Sequence, residues 1–213
     1  MDLKEFNKDR ILEKIEIDKN SYKLKDAYRY LKIKKDELDK DLDNRIKNNF
    51  EKILEISDIK HYGEFRKLVI IDDSNISLGD LKINSAGLRK NLKNSEYVYI
   101  FGVTLGLGVD RLIHRLSIIN SADSLIADAI ASDIADGCAD IINFRVNIEV
   151  KKNGYKTYPR FSPGFLDYDL SKQKELIKSL DLNRIGISTT DSGMMVPTKS
   201  VTAIIGIARN DKE

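Results

Sequence analysis

Hydrophobic positions recur at helical spacing in the first part of the chain. From Asp36 to Ile56, apolar residues three or four positions apart form one stripe, with charged residues opposite. The members of this stripe are Leu38, Leu42, Ile46, Phe50, Ile53 and Leu54. The pattern predicts a long amphipathic helix that packs against a core. Two shorter helices are predicted before it, from Asn7 to Ile17 and from Asp26 to Leu31, the second capped by Asp26.

The pattern changes to shorter elements after about residue 63. Apolar, β-branched residues from Arg66 to Ile71 and from Ile76 to Leu78 flank the turn-forming stretch Asp72 to Asn75. This arrangement predicts a hairpin. A short helix capped by Ser85 is predicted as far as Leu92. Aromatic and β-branched residues from Tyr97 to Val103 predict a central strand.

The rest of the chain predicts two further helices and two strands. The helices run from Ser121 to about Ile142 and from Ser171 to Leu180, the second capped by Ser171, and the strands run from Gly186 to Thr190 and from Val201 to Ala208. Strands and helices do not alternate regularly, which indicates an α+β fold with a mainly antiparallel twisted sheet flanked by long helices. We expect an N-terminal helical segment of residues 1–60 and an α+β domain of residues 61–213, packed together as one compact unit.

Composition and charge exclude several classes of protein. The 36 basic and 34 acidic residues are interleaved and give a net charge of +2, which argues against nucleic acid as a main partner. Cys138 is the only cysteine, so no internal disulfide is expected, and its small apolar neighbours predict that it is buried. His61 and His114 lack ligand-like spacing, so no metal site is expected. No apolar run reaches the roughly 20 residues of a membrane span, and no signal core follows Met1, so we expect a cytosolic protein without a membrane partner.

Three aspartates lie on one face of the helix predicted from Ser121. At 100° per residue, Asp133, Asp136 and Asp140 fall close together, and the small residues Ala122 and Ala129 extend the same stripe. Carboxylates beside small residues suit a cationic or hydroxyl-bearing ligand. The same pattern is equally typical of the solvent-facing side of a buried helix.

All three prolines lie in two segments, Pro159 to Phe165 and Thr190 to Pro197. Proline fixes φ and Gly164 allows backbone angles that other residues avoid, so the first segment predicts a rigid turn that presents Arg160. A fixed guanidinium suits a carboxylate or phosphate, because it donates two parallel hydrogen bonds. The alternative is a tight surface turn in which Arg160 forms only a salt bridge.

Glycines also mark the junction between the strand ending near Gly102 and the following helix. Such a junction can hold a phosphate at the helix N-terminus. However, the dinucleotide fingerprint is incomplete, because Arg111 stands where the third glycine after Gly106 and Gly108 is needed. The sequence favours a tight strand-to-helix corner close to a ligand.

Over about residues 97–208, these motifs together resemble the activation domain of cobalamin-dependent methionine synthase, and most closely its small stand-alone relatives. In the family, an Arg-x-x-Pro-Gly-aromatic segment is followed by Thr-Glu-Ser, then Met-x-Pro, then Ser-Val-Ser. The corresponding stretches here are Arg160–Phe165, Thr190–Ser192, Met195–Pro197 and Ser200–Thr202. The stand-alone relatives also have a strand-to-helix corner, which corresponds to Thr104–Arg111.

The resemblance implies a binding site for S-adenosylmethionine. Arg160 would hold the methionine carboxylate, and the backbone at Ser162 and Gly164 would meet the adenosine part. Phe165 takes the place of a family Tyr, and Asp136 matches an acidic residue of the long helix, although the family has Glu there. The family's Pro-Ala-Cys-Pro after the turn is replaced here by residues 166–169, Leu-Asp-Tyr-Asp.

The resemblance also implies a component of a methyltransferase system for methionine biosynthesis. The chain has no Asp-x-His-x-x-Gly motif for cobalamin, so the cobalamin would be carried by a separate methionine synthase subunit. The chain would present the methyl group of S-adenosylmethionine for reductive methylation, with flavodoxin or ferredoxin as electron donor, and would not be a complete enzyme. The alternatives are a non-catalytic adaptor that docks to a cobalamin or corrinoid protein, and an unrelated small-molecule-binding or regulatory domain.

Overall fold

The computed structural model describes residues 13–33 and 39–210. Within these ranges the α-helices are α1 (Lys25–Tyr30), α2 (Lys40–Ile56), α3 (Ala86–Asn91), α4 (Leu107–Ile119), α5 (Ser121–Lys151) and α6 (Gln173–Leu180). The strands are β1 (Glu13–Lys14), β2 (Lys60–Lys67), β3 (Val69–Ile70), β4 (Asn75–Leu78), β5 (Leu81–Asn84), β6 (Tyr97–Thr104), β7 (Tyr155–Thr157), β8 (Ser188–Thr189), β9 (Met195–Val196) and β10 (Ser200–Arg209). Two 3₁₀ turns are Leu170–Lys172 and Leu182–Ile185.

A five-stranded antiparallel sheet forms the centre of the fold. Its strand order is β1-β2-β6-β10-β7. Strand β6 pairs along its whole length with both β2 and β10. Alternate residues of β6 are buried in the cores on the two faces of the sheet, with Val98 and Ile100 on one side and Phe101 and Val103 on the other. The predicted central strand and the α+β class are therefore confirmed.

The two faces of the sheet carry different layers. On one face, α5 packs with α1, α2 and α4, and its Ile130 and Ile134 share a core with Phe101 of β6 and Ile205 of β10. On the other face lie the small antiparallel sheet β3-β4-β5 and helices α3 and α6. Burial of apolar residues on both faces is what fixes the long strands between the two layers.

The N-terminal predictions are correct only in part. Residues 7–12 of the helix predicted from Asn7 to Ile17 lie outside the described residues, and Glu13–Lys14 form a strand, so the helix is wrong there. This strand pairs with the edge of β2, which provides hydrogen bonds that no local pattern reveals. Helix α1 begins at Lys25 with Leu24 in the cap position, so the predicted cap Asp26 is also wrong.

The long amphipathic helix is confirmed from Lys40 onward. The stretch from Asp36 to Leu38 lies outside the described residues, and the carboxylate of Asp39 accepts a hydrogen bond from Leu42 N at 2.8 Å, which caps α2. The predicted stripe faces α5, and its buried members are Ile46, Phe50 and Ile53.

The remaining elements follow the sequence closely, except at several of their bounds: the strand predicted from Gly186 to Thr190 is limited to β8, Ser188–Thr189. The hairpin is confirmed for β3 and β4, whereas Arg66 and Lys67 of its predicted first strand belong to β2 of the central sheet. The Ser85 cap of α3 is also confirmed, because its hydroxyl accepts a hydrogen bond from Leu88 N. Helix α5 continues to Lys151, well beyond the predicted end. The Ser171 cap is wrong, because α6 begins at Gln173 and Ser171 N donates to Asp169 in the preceding turn.

The burial predicted for Cys138 is confirmed, and burial raises the pKa of its thiol to about 12. In the described ranges, every helix is too short or too polar to cross a lipid bilayer. The division into residues 1–60 and 61–213 stays a prediction.

Candidate functional site

Arg160 lies on a segment that is fastened to the edge of the central sheet. Tyr158 N donates to Gly206 O at 2.8 Å, and Phe161 exchanges hydrogen bonds with Ile204 at 2.9 and 2.8 Å. Because successive side chains along an extended segment point to opposite faces, Phe161 enters one core while Arg160 turns toward α5. The fold therefore fixes the direction of the guanidinium.

The guanidinium of Arg160 contacts two carboxylates of α5. Its Nε lies 3.2 Å from Asp140 Oδ1, and its Nη2 lies 3.1 Å from the same oxygen and 3.5 Å from Asp136 Oδ1. The Arg160 side chain is only 19% exposed. The structure thus brings together the two charged residues that the sequence singled out. It also contains the salt bridge that the alternative interpretation of Arg160 predicts.

Asp136 links Arg160 to a surface cavity. Its second oxygen, Oδ2, accepts a hydrogen bond from the Tyr30 hydroxyl at 3.1 Å. A cavity of about 360 Å³ opens here between α1, α5 and the start of β10. The residues that line it are Tyr30, Ser132, Ala135, Asp136, Thr198, Lys199, Ser200 and Val201.

A second cation stands in the wall of this cavity. Lys199 Nζ lies 2.7 Å from Asp128 Oδ1 and 2.9 Å from Ser132 Oγ, and the side chain is 11% exposed. The charged residues that line the cavity are thus Asp136 and Lys199, each held by a partner of opposite charge outside the lining, Arg160 for the first and Asp128 for the second. A cavity with one carboxylate and one ammonium group suits a ligand that carries both signs of charge.

Asp133, the third aspartate of the stripe, has neither of the two roles that the sequence left open. It is buried, with 5% exposure, and its carboxylate accepts hydrogen bonds from the Tyr22 hydroxyl and from the amides of Asp26 and Ala27, each at 2.7 Å. Gly137, one turn further along α5, allows this close approach, because a Cβ there would clash with the Tyr22 hydroxyl. Asp133 therefore fastens the N-terminal segment to α5.

The other predicted site residues lie on the turn that follows Arg160. Gly164 has φ 91°, the left-handed conformation that glycine was expected to adopt, and its amide donates to Tyr168 O at 2.6 Å. Ser162 O accepts from Phe165 N, and Phe165, half-exposed, packs edge-on against Phe161. The contacts of these backbone groups thus run within the turn and not toward Asp136. Ser162 Oγ is buried and has no hydrogen-bond partner in the part of the chain that the structure describes.

The residues that depart from the family pattern after this turn have structural contacts. Asp167 accepts hydrogen bonds from Ser85 Oγ at 2.6 Å and from the amides of Ala86 and Gly87, so it joins the turn to the start of α3. These contacts, first that with Ser85, lower the pKa of the Asp167 carboxyl. Tyr168 is buried in the second core, and burial raises the pKa of its hydroxyl.

The predicted corner between β6 and α4 is confirmed. Gly106 has φ 86°, and Asp110 in the first turn of α4 accepts hydrogen bonds from both the amide and the hydroxyl of Thr198 at 2.8 Å. This contact joins the corner to the segment after Pro197, which also leads into the cavity wall at Thr198 and Lys199. Among the described residues, no group of three or more potential metal ligands lies together.

Sequence reasoning missed the contribution of the N-terminal segment to the site. Tyr30 and Asp136 are separated by 106 positions, and Tyr22 and Asp133 by 111. No periodic pattern or motif in residues 20–30 marks either tyrosine. The sequence signal for these contacts is the acidic stripe of α5. If another segment packs over the aspartates, it must supply hydrogen-bond donors to their carboxylates.

Comparison with solved structures finds this fold elsewhere. The chain is similar to the crystal structure of the MetH reactivation domain bound to AdoHcy, with a TM-score of 0.62 and 15% sequence identity, over 87% of this chain and 70% of that chain. Similarity at this level of identity shows a shared fold. No protein-family model matches the sequence, and no curated protein matches it either.

Proposed function

We propose that this chain is an S-adenosylmethionine-binding reactivation module, which presents a methyl group for reductive methylation of cobalamin on a separate methionine synthase. The observation that carries the proposal is the contact between Arg160 and Asp136 beside a cavity. It occurs in a fold shared with a domain that is described as bound to AdoHcy. Arg160 is indicated both by its proline-bracketed turn and by the family resemblance, and Asp136 is indicated by the resemblance and also lies in the helical stripe of three aspartates.

The charges at this site suit the ligand that the proposal requires. S-adenosylmethionine carries a carboxylate, an ammonium group and a sulfonium group, so it needs one anion-binding contact and compensation for positive charge. Arg160 offers a planar donor for the carboxylate, and Asp136 offers an acceptor for a cation.

The proposed reaction requires no acid or base from this chain. In the reductive methylation, one electron from flavodoxin or ferredoxin reduces cob(II)alamin, and the methyl group leaves the sulfonium to give methylcobalamin and S-adenosylhomocysteine. The contribution of this chain is to bind and orient the ligand, with its methyl group accessible to the partner protein. Positioning of this kind can supply most of the rate.

A second candidate function is an adaptor that docks to a cobalamin or corrinoid protein without binding S-adenosylmethionine. The observation that favours it is the pairing of Arg160 with both Asp136 and Asp140. A ligand carboxylate must compete with these side chains for the guanidinium, and their negative charge opposes its approach.

Isothermal titration with S-adenosylmethionine distinguishes the two candidates. We expect saturable binding to the full chain, and an affinity at least about tenfold lower in Arg160→Ala, because a charge-assisted contact to the ligand is lost. Arg184→Ala is the matched control, since Arg184 pairs with Asp181 and stacks on Tyr62 away from the cavity. Absence of binding to the unmodified chain would contradict the proposal and support the adaptor.

The partner is tested separately with a cobalamin-binding methionine synthase that lacks its own activation domain. Under the proposal, the chain restores methylation of the oxidised cofactor when S-adenosylmethionine and reduced flavodoxin or ferredoxin are present. An adaptor would bind the synthase and leave the cofactor unmethylated.

A further inference from the structure

Helix α1 is held in one position over the acidic face of α5. The amides of its second and third residues, Asp26 and Ala27, both donate to Asp133 Oδ2, and the Tyr22 hydroxyl donates to Asp133 Oδ1. The Tyr22 ring also stacks on Phe50 of α2 at 5.8 Å between centroids. Because Asp133 is buried, these hydrogen bonds are shielded from water and hold α1 firmly.

This fixed position places Tyr30 at the cavity. Tyr30 is the last residue of α1, its side chain lines the cavity, and its hydroxyl donates to Asp136 Oδ2. Asp136 Oδ1 is meanwhile held by Arg160 Nη2. Each oxygen of the carboxylate thus has its own donor, which restricts rotation of the carboxylate about its terminal bond.

We propose that Tyr30 is a positioning residue of the ligand site: its hydroxyl orients the Asp136 carboxylate, with the remaining lone pairs available to a cationic group of the ligand. This inference rests on the proposed function and adds the N-terminal segment to the binding site. It identifies the part of the ligand read by Asp136 as its positively charged part, an ammonium or sulfonium group. Asp136 is the acidic residue among those that line the cavity, which supports that assignment.

The chain contains a matched control for this role. Tyr28 lies on the same helix, but its ring packs with the core next to α2, where Asp43 and Lys47 are its charged neighbours. Tyr28→Phe removes a hydroxyl from α1 without touching Asp136. Tyr30→Phe removes the hydroxyl that contacts it.

The test measures the affinity of the full chain for S-adenosylmethionine in a double-mutant cycle. We expect Tyr30→Phe to lower the affinity about fivefold, with a thermal midpoint matching that of Tyr28→Phe. Tyr28→Phe should bind as the unmodified chain does. In an Asp136→Asn background, Tyr30→Phe should have no further effect, because its contribution passes through that carboxylate. If Asp136→Asn binds no ligand, the test is the difference in affinity for S-adenosylmethionine between Tyr30→Phe and Tyr28→Phe.

The outcomes separate this inference from the proposed function. Equal affinities of Tyr30→Phe and the unmodified chain would overturn the inference and leave the proposed function intact. The same would follow from a loss that persists undiminished in the Asp136→Asn background, since Tyr30 would then act by another route. If the unmodified chain binds no S-adenosylmethionine, the proposed function fails and the role of Tyr30 falls with it.

Discussion

At the scale of single residues, His61 is a buried group whose pKa is shifted within the mildly acidic range. It lies on β2 with 6% exposure, its Nε2 is 3.1 Å from the Tyr99 hydroxyl, and Nδ1 has no partner in the described part of the chain. Burial, reinforced by the nearby positive charge of Arg145, lowers its pKa from 6.5 to about 4. The folded protein therefore holds the imidazole neutral in a range where the unfolded chain protonates it.

This difference predicts a loss of stability in mild acid. The contribution of His61 is fully present above the unfolded pKa of 6.5 and is lost as the pH falls toward 4, because only the unfolded state gains the proton. Urea unfolding should show the free energy of unfolding decreasing by about 2 kcal/mol between pH 7 and pH 5. His61→Gln should flatten this dependence, whereas His114→Gln, at an exposed position, should keep it. An unchanged slope in His61→Gln would contradict the assignment.

The two charged residues of the candidate site could be named from the sequence, but their surroundings could not. Arg160 is marked by its prolines and glycine, and Asp136 by the family resemblance together with its place in a stripe of three aspartates. Tyr30 carries no such mark, because its contact is made across 106 positions. Asp133 had the same pattern as Asp136, yet it is buried beneath α1, since helical spacing indicates a shared face and not what covers it.

At the scale of elements, the contact between α1 and α5 depends on one carboxylate. Asp133 accepts from one hydroxyl and two backbone amides, and a hydrogen bond to a buried charge is worth more than a neutral one. We expect Asp133→Asn to lower the free energy of unfolding by about 3 kcal/mol, because an amide group cannot accept at both positions. Hydrogen exchange should show faster exchange of the Asp26 and Ala27 amides.

Asp136→Asn serves as the control for this prediction, because Asp136 lies on the same helix face but bonds to no backbone amide of α1. In Asp136→Asn, the amides of Asp26 and Ala27 should stay protected from hydrogen exchange. Equal protection in Asp133→Asn would mean that α1 is held mainly by apolar packing.

Elements with a complete local signal were predicted well. Helix α2 has both its apolar stripe and a capping aspartate, and α3 has the Ser85 cap. Errors arose where a distant partner decides the local structure. Glu13 and Lys14 form a strand because the edge of β2 is free to pair with them, and Ser171 loses its predicted cap role to Asp169 in the preceding turn.

At the scale of the whole molecule, the N-terminal segment completes the core on the helical face of the sheet. Helix α2 packs along α5, and Ile46 and Ile53 are almost fully buried between them. A chain that begins at residue 61 would lack α1 and α2 and would expose the apolar surface of α5 that they cover. We expect this shortened chain to lose cooperative thermal unfolding and to bind a hydrophobic dye, which scanning calorimetry and dye fluorescence would measure.

The contrary result would be a cooperative transition in the shortened chain like that of the full chain. The predicted division at residue 60 would then mark two independently folding parts. The order of the strands in the sheet could not be predicted from the sequence. For example, β7 pairs with β10 and contacts α5, and neither contact is marked by a local pattern.

The fastening of α1 to Asp133, three positions from Asp136, couples the N-terminal segment to the proposed ligand. If a partner protein binds α1 in a displaced position, it lowers the affinity of the chain for the ligand by some factor. By thermodynamic reciprocity, the ligand lowers the affinity for that partner by the same factor. Binding of a partner protein to the N-terminal segment would then promote release of the S-adenosylhomocysteine that the proposed reaction leaves.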